Sequence, residues 1–199
     1  MPSSNRAESG SAPADTPLAG YEAVVCVCGG VAAFKTATLV SRLAQHGCGV
    51  TVAMTRSARR FVGPATFQAL SGRPVITSMW RRPDIPHLAL SQQADLIVVA
   101  PATANIIGKL AGGIADELVS TLLIGAACPI MMAPAMNTRM WQHPAVQRNV
   151  AWLAEQGVLL VGPESGWQAC REVGPGRMAE PETLLQRATA QLLAARPKK

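Results

Sequence analysis

Five short apolar runs punctuate this chain, at Ala23 to Val27, Gly49 to Met54, Asp95 to Ala100, Pro129 to Ala133 and Val158 to Val161. They are continuous rather than alternating. Strands of that kind are covered on both faces, as in a parallel sheet. Segments of helical character separate them: Val31 to His46, Thr103 to Ala111, Glu117 to Ala126, His143 to Gln156 and Glu182 to Leu193. In the first, Phe34, Ala37, Val40, Leu43 and Ala44 mark the apolar positions, and Gly47 supplies a stop signal. Such alternation predicts a doubly wound parallel sheet in a three-layer α/β/α arrangement, with right-handed crossovers.

With 199 residues the chain suits one domain with a sizeable core. We expect that domain over residues 21–193. Residues 1–20, rich in Ser, Ala, Pro and Gly and lacking an apolar signal core, read as a disordered tail, and 194–199 as a basic one. No apolar run reaches the roughly 18 residues that span a bilayer. Hydrophobic residues make up 49% and charged residues 15%, a balance that fits a buried subunit interface or, equally, a bulky core. Net charge is +6, but there is no basic stripe interleaved with aromatics, so nucleic-acid binding is disfavoured. A positive field still attracts phosphorylated anions.

There are five cysteines and no secretory leader, which points to a reducing cytoplasm. Cys26, Cys28 and Cys128 sit in apolar runs and read as small core residues. Cys26 and Cys28 have the wrong spacing for a redox pair, and no His/Cys cluster has metal-ligand spacing, so no metal is expected. Only Cys170 stands in a polar, Gly-rich loop, between Gly166 and Gly174–Gly176. Such a loop can close over a ligand, and its thiol can be a nucleophile, a proton donor or inert.

Polar groups gather where strands end. In open α/β sheets that carboxyl edge is where ligands bind. Gly29, Gly30 and Val31 form a turn that opens a helix, which permits close backbone approach and offers N–H groups to a phosphate. An ordinary strand-to-helix turn fits the same residues. Thr55, Arg56 and Ser57 follow the second run, and suit either a phosphate or a helix cap. Thr103, Ala104 and Asn105 follow the third. After the fourth, Pro134 halts the strand and Asn137 enters a helix. Its amide suits a substrate carboxylate and equally a helix cap. Of three histidines, His46 ends a helix and His143 starts one, so both read as structural. His87 stands just before the third run.

Three motifs decide between these readings. Pro134 to Trp141 (PAMNTRMW) resembles the PxMNxxMW signature of flavin-dependent cysteine decarboxylases. Ala100 to Asn105 (APATAN) resembles the same family's flavin-binding PASAN segment. Gln168 to Met178 (QACREVGPGRM) resembles its substrate clamp. The likeness runs from about Ala23 to Leu185. It implies a Rossmann-like, flavodoxin-like fold and flavin mononucleotide (FMN) bound at Gly29, Gly30, Val31, Thr55, Ser57, Thr103, Ala104, Asn105 and Ala135. It implies substrate contacts at Asn137, Met140, Gln168 and Ala169, with His87 and Cys170 as proton-transfer residues. His87 matches an HIxL motif in which Leu88 replaces Ile. The clamp usually has Gly after its Cys, and Arg171 stands there instead.

The implied activity is decarboxylation of 4′-phosphopantothenoylcysteine to 4′-phosphopantetheine in coenzyme A synthesis. It runs through thiol oxidation to a thioaldehyde, CO2 loss and re-reduction of the enethiol. The resemblance also implies a homotrimer or dodecamer. Many bacterial relatives continue into a ligase domain that makes the substrate, so we expect either a separate synthetase or a chain cut at the domain boundary. Two alternatives stand beside it. One is a peptidyl-cysteine oxidative decarboxylase, a class that lacks the clamp cysteine. The other is a non-catalytic regulatory subunit, a class that lacks one catalytic residue. Flavin prenyltransferases share the implied fold, but PAMNTRMW and the Cys clamp do not suit them.

Overall fold

The computed structural model describes residues 16–80 and 86–195, without the side chains of 86–89. Strand β1 (Glu22–Val27) leads into helix α1 (Ala33–Gln45) and β2 (Gly49–Met54). A single 3-10 turn (Ala58–Arg60), α2 (Pro64–Ser71) and α3 (Pro86–Gln93) precede β3 (Leu96–Ala102). Then come α4 (Ala104–Ala111), α5 (Leu118–Ile124), β4 (Ile130–Pro134), α6 (Thr138–Trp141), α7 (Pro144–Glu155) and β5 (Leu159–Leu160). A hairpin, β6 (Glu164–Trp167) and β7 (Val173–Arg177), comes before α8 (Pro181–Ala194). The main sheet has the order β2-β1-β3-β4-β5, and every pairing in it is parallel. This is the flavodoxin-like order, with its switch point between β1 and β3.

The continuous apolar runs have a simple cause. Successive side chains of a strand point to opposite faces. Along β1, Ala23, Val25 and Val27 enter one core, while Val24 and Cys26 enter the other. The first core is closed by Leu39, Val40 and Leu43 of α1 and by Leu184 and Leu192 of α8. The second is closed by Ile106 and Ile107 of α4, Leu122 of α5 and Leu153 of α7. Each such side chain taken from water contributes about 1.5–3 kcal/mol. No helix among the described residues is long and apolar enough to cross a membrane.

The expected strands agree with the observed ones to within a residue or two, and β5 is the shortest. Other features depart from expectation. Residues 16–20, read as tail, form a turn. Leu18 is fully buried, and its N–H donates to the His46 carbonyl at 3.0 Å. The tail expected over residues 1–15 and 196–199 lies outside the described residues. Helix α2 was not expected, although Pro64 at its start and Gly72 at φ 67 beyond its end are ordinary helix boundaries. The Gly-rich loop around Cys170 is flanked by paired strands, so it is the tip of a hairpin rather than an open loop.

One buried hydrogen bond fixes the edge where the site forms. The ladder between β3 and β4 shifts between Val99 and Ala102. There the Thr36 hydroxyl of α1 donates to the Ala100 carbonyl at 2.8 Å, with Thr36 fully buried. Thr36→Val keeps the shape and removes the donor, leaving a buried carbonyl short of a partner. We predict a loss of about 1–3 kcal/mol. Urea unfolding should show a lower midpoint with an unchanged slope. An unchanged midpoint would mean that this bond contributes nothing.

Candidate functional site

Four strands of the sheet end at one cleft of ≈ 1040 Å³. That volume is just above the roughly 300–1,000 Å³ usual for small-molecule sites. From β1 come Gly29, Gly30 and Val31, and from β2 come Thr55, Arg56 and Ser57. The turn after β3 gives Thr103, Ala104 and Asn105, and that after β4 gives Ala135, Asn137 and Met140. Gln168, Ala169 and Cys170 of the hairpin complete the wall. Thus every expected site residue with a described side chain lines the same cleft. His87 belongs to the first turn of α3, and its side chain lies outside the described residues.

The turn after β1 is built for close approach. A Cβ on Gly29 would run into Ser57. The turn after β3 lies alongside, since a Cβ on Gly30 would sit 3.6 Å from Pro101 and 3.7 Å from Thr103. Among the described residues, the N–H groups of Val31 and Ala32 donate to no protein acceptor, and the Ser57 hydroxyl makes no cap bond. These unpaired donors converge at the start of α1. Thr55 and Thr103 do act as caps: Thr55 Oγ1 accepts from Ala58 N at 3.2 Å and Thr103 Oγ1 from Ile106 N at 3.5 Å.

Asn137 takes the helix-cap role that one of its two sequence readings offered. It is the N-cap of α6, and its Oδ1 accepts from Met140 N at 2.9 Å. The other end of the amide, Nδ2, has no protein partner among the described residues, and Asn137 is exposed at the cleft. The cap therefore orients the donor.

The hairpin β6–β7 packs on this loop. Met136 N donates to the Gly176 carbonyl at 2.9 Å, and a Cβ on Gly176, at φ 129, would strike the Met136 carbonyl. Gln168, expected to contact substrate, lines the cleft as a buried residue whose amide is engaged by protein. Its Nε2 donates to Thr138 Oγ1, to the Gly174 carbonyl and to the Pro175 carbonyl, and its Oε1 accepts from Thr138 N. Cys170, by contrast, is exposed. Its Sγ lies 3.5 Å from Gln168 Oε1 and 3.8 Å from Glu172 Oε2. Both are acceptors, so a single S–H serves one of them at a time.

Comparison with known proteins places this architecture. A flavoprotein family model matches residues 11–193. The chain belongs to the flavoprotein family. It is 48% identical over 166 residues to the coenzyme A biosynthesis bifunctional protein CoaBC of Bacillus subtilis, covering 82% of this chain and 41% of that protein. It is 44% identical to the CoaBC protein of Escherichia coli K12, covering 87% of this chain and 43% of that one. It thus spans less than half the length of these curated relatives. Among solved structures, a PPC decarboxylase cysteine-to-serine mutant complexed with pantothenoylaminoethenethiol superposes with TM-score 0.77 at 29% identity, covering 85% of this chain and 97% of that one. The FMN-dependent cysteine decarboxylase SpaF matches with TM-score 0.77 at 33% identity, covering 88% and 99%.

Within this flavoprotein chain the cysteines differ in kind. Burial raises the thiols of Cys26 and Cys28 well above the usual range, and raises Cys48 to about 12, with Glu22 adding to the last. Cys28 lies in the cleft floor, yet it stays a neutral thiol. Cys128 lies just before β4 rather than within it, and is half-buried. His143 is structural as expected: it caps α7, its Nδ1 accepting from Ala145 N at 3.2 Å.

Sequence reasoning did not find the charged pairs at the rim. Lys35 Nζ lies 2.9 Å from Glu180 Oε1, and Arg177 reaches the same carboxylate. Hydrogen bonding from Lys35, aided by Arg177, holds the Glu180 carboxyl below its ordinary range. On the other side, Lys109 Nζ contacts Asp116 at 2.7 and 2.9 Å and lowers that carboxyl in turn. Lys35, Lys109 and Arg177 all line the cleft. The spacing of Lys109, four residues after Asn105, is the one signal that could have found it.

Arg171 is the sole non-glycine with positive φ among the described residues, at 66°. Its N–H closes the hairpin tip onto the Gln168 carbonyl at 2.9 Å. A left-handed conformation costs an L-residue about 1–2 kcal/mol, part of which glycine's greater unfolded freedom offsets. Arg171→Gly should therefore stabilise the fold by up to about 1 kcal/mol, seen as a higher urea midpoint. A lower midpoint would show that the Arg171 side chain makes compensating contacts.

Proposed function

We propose that this chain is an FMN-dependent carboxy-lyase that converts 4′-phosphopantothenoylcysteine to 4′-phosphopantetheine in coenzyme A biosynthesis. One observation carries the reading. A single cleft joins the Gly29–Val31 turn, the Thr55 and Ser57 hydroxyls, Thr103–Asn105, Asn137 and the only exposed thiol among the described residues. The donor set suits FMN. The N–H groups of Val31 and Ala32 and the Ser57 hydroxyl fit one terminal phosphate, with Gly29 leaving the space. Thr103, Ala104, Asn105 and Ala135 border the remainder of the same cleft. When bound, FMN supplies a reversible hydride acceptor, which a cysteine substrate needs because its carboxylate has no electron sink beside it.

The chain's own residues orient and protonate. Asn137, with its oxygen held by Met140 N, turns its Nδ2 toward the substrate carboxylate, and Met140 and Ala169 flank the same pocket. His87 takes up the proton released when the thiol is oxidised. After CO2 leaves, the enethiol needs one proton on the carbon that bore the carboxylate, and Cys170 donates it. The two CoaBC relatives and the PPC decarboxylase match support this reading. The exposed Cys170 in the hairpin favours it over peptidyl-cysteine oxidation. In the same reading the chain is cytoplasmic and works as a homotrimer or dodecamer. The exposed Val31, Phe34 and Met140 at the cleft mouth support subunit association there.

Cys170→Ser separates the half-reactions. A hydroxyl is a far weaker acid than a thiol, so oxidation and CO2 release proceed while reprotonation fails. Mass spectrometry should find a decarboxylated product two hydrogens short of phosphopantetheine, with FMN retained. Saturated product at the wild-type rate would remove Cys170 from the mechanism.

A further inference from the structure

Gln168 differs from its surroundings. Trp167, Ala169, Cys170 and Arg171 are all exposed, yet Gln168 between them is only 8% exposed. A buried amide at the tip of an exposed hairpin must be fully bonded to be tolerated. Its Nε2 lies 3.1 Å from Thr138 Oγ1, 3.2 Å from the Gly174 carbonyl and 3.0 Å from the Pro175 carbonyl. Its Oε1 accepts from Thr138 N at 3.1 Å. Thr138 N can only donate, and the two carbonyls can only accept, so the amide has one permitted orientation. The atom beside Cys170 is therefore Oε1, at 3.5 Å.

We propose that Gln168 is a positioning residue that ties the Cys170 proton to the loop carrying Asn137. The inference rests on the decarboxylase reading above. Thr138 is the residue after Asn137 and the first of α6. A carboxylate drawn onto Asn137 pulls on that loop, and the two bonds to Thr138 transmit the displacement to Gln168. Oε1, the nearer of the sulfur's two acceptors, accepts the Cys170 S–H and so fixes where the sulfur stands. Reprotonation then runs only when the Asn137 loop is in its bound position. The step itself balances as follows. The enethiol carbon–carbon double bond receives a proton from Cys170 on the former carboxylate-bearing carbon. The carbon bearing sulfur receives the hydride stored in the oxidative half, and solvent returns a proton to the Cys170 thiolate.

The test uses the FMN-loaded protein with 4′-phosphopantothenoylcysteine, and reads the ratio of saturated to unsaturated product beside total CO2. Gln168→Leu removes every amide bond. Thr138→Val removes only the hydroxyl and keeps the N–H. Misplacing a reacting group by about 1 Å costs up to ~10²-fold. Gln168→Leu should therefore lower the ratio by at least about tenfold, and Thr138→Val by a smaller factor in the same direction. CO2 release should fall less than the ratio in both. In a Cys170→Ser background neither change should move the ratio further, because Gln168 acts through Cys170. An unchanged ratio in both variants overturns the proposal. So does an equal fall in CO2 and saturated product, which is what general loosening of the fold would give. If Gln168→Leu does not hold FMN, the Thr138→Val ratio decides alone. Wild-type protein that releases no CO2 from this substrate defeats the parent reading itself, and that outcome is distinct from an unchanged ratio.

Discussion

A parallel sheet must deliver all its strand-to-helix turns to one edge, and this site depends on that constraint. β1 pairs with β2 on one side and β3 on the other. The chain leaves β1 toward β2 and returns to β3, so the turns after β1 and β3 stand side by side with a crevice above them. Thr36 locks that edge from below by binding the Ala100 carbonyl where the β3–β4 ladder shifts. Small residues at Gly29 and Gly30 let neighbouring turns approach closely. The cleft is thus a consequence of strand order and two or three close contacts, not of an elaborate loop structure.

The hairpin adds what the sheet edge cannot supply. Residues at strand ends offer hydroxyls, amides and backbone N–H groups, but no exposed thiol. β6 and β7 carry Cys170 over the cleft and lean on the Asn137 loop through Gly174, Gly176 and Gln168. Backbone contacts this close exclude side chains, which is the physical reason for the glycines. The buried thiols of Cys26, Cys28 and Cys48 are held protonated by their surroundings. Among the described residues, the exposed thiol is the one on the hairpin.

Much of this was legible in the residues. The five apolar runs located the sheet because each strand feeds two cores. Polar residues after the runs located the cleft, since Thr55, Thr103 and Asn137 all follow strand ends. Asn137 is a cap that leaves its Nδ2 donor free, so the cap reading does not compete with the substrate reading. The hairpin was less legible. Glu164–Trp167 and Val173–Arg177 have no apolar alternation, and only tertiary contacts reveal that the Gln168 amide is occupied by protein. The pairing of Lys35 and Arg177 through Glu180 joins α1, β7 and the start of α8 across the sequence, which no local pattern records.

The central claim is that substrate oxidation and reduction take place in this one cleft with FMN between them. Rapid anaerobic mixing of FMN-loaded protein with 4′-phosphopantothenoylcysteine tests it most directly. The account predicts that the visible flavin absorbance bleaches and then recovers within a single turnover, as one CO2 is released per substrate. Release of CO2 with no change in flavin absorbance, or from protein free of flavin, would contradict it.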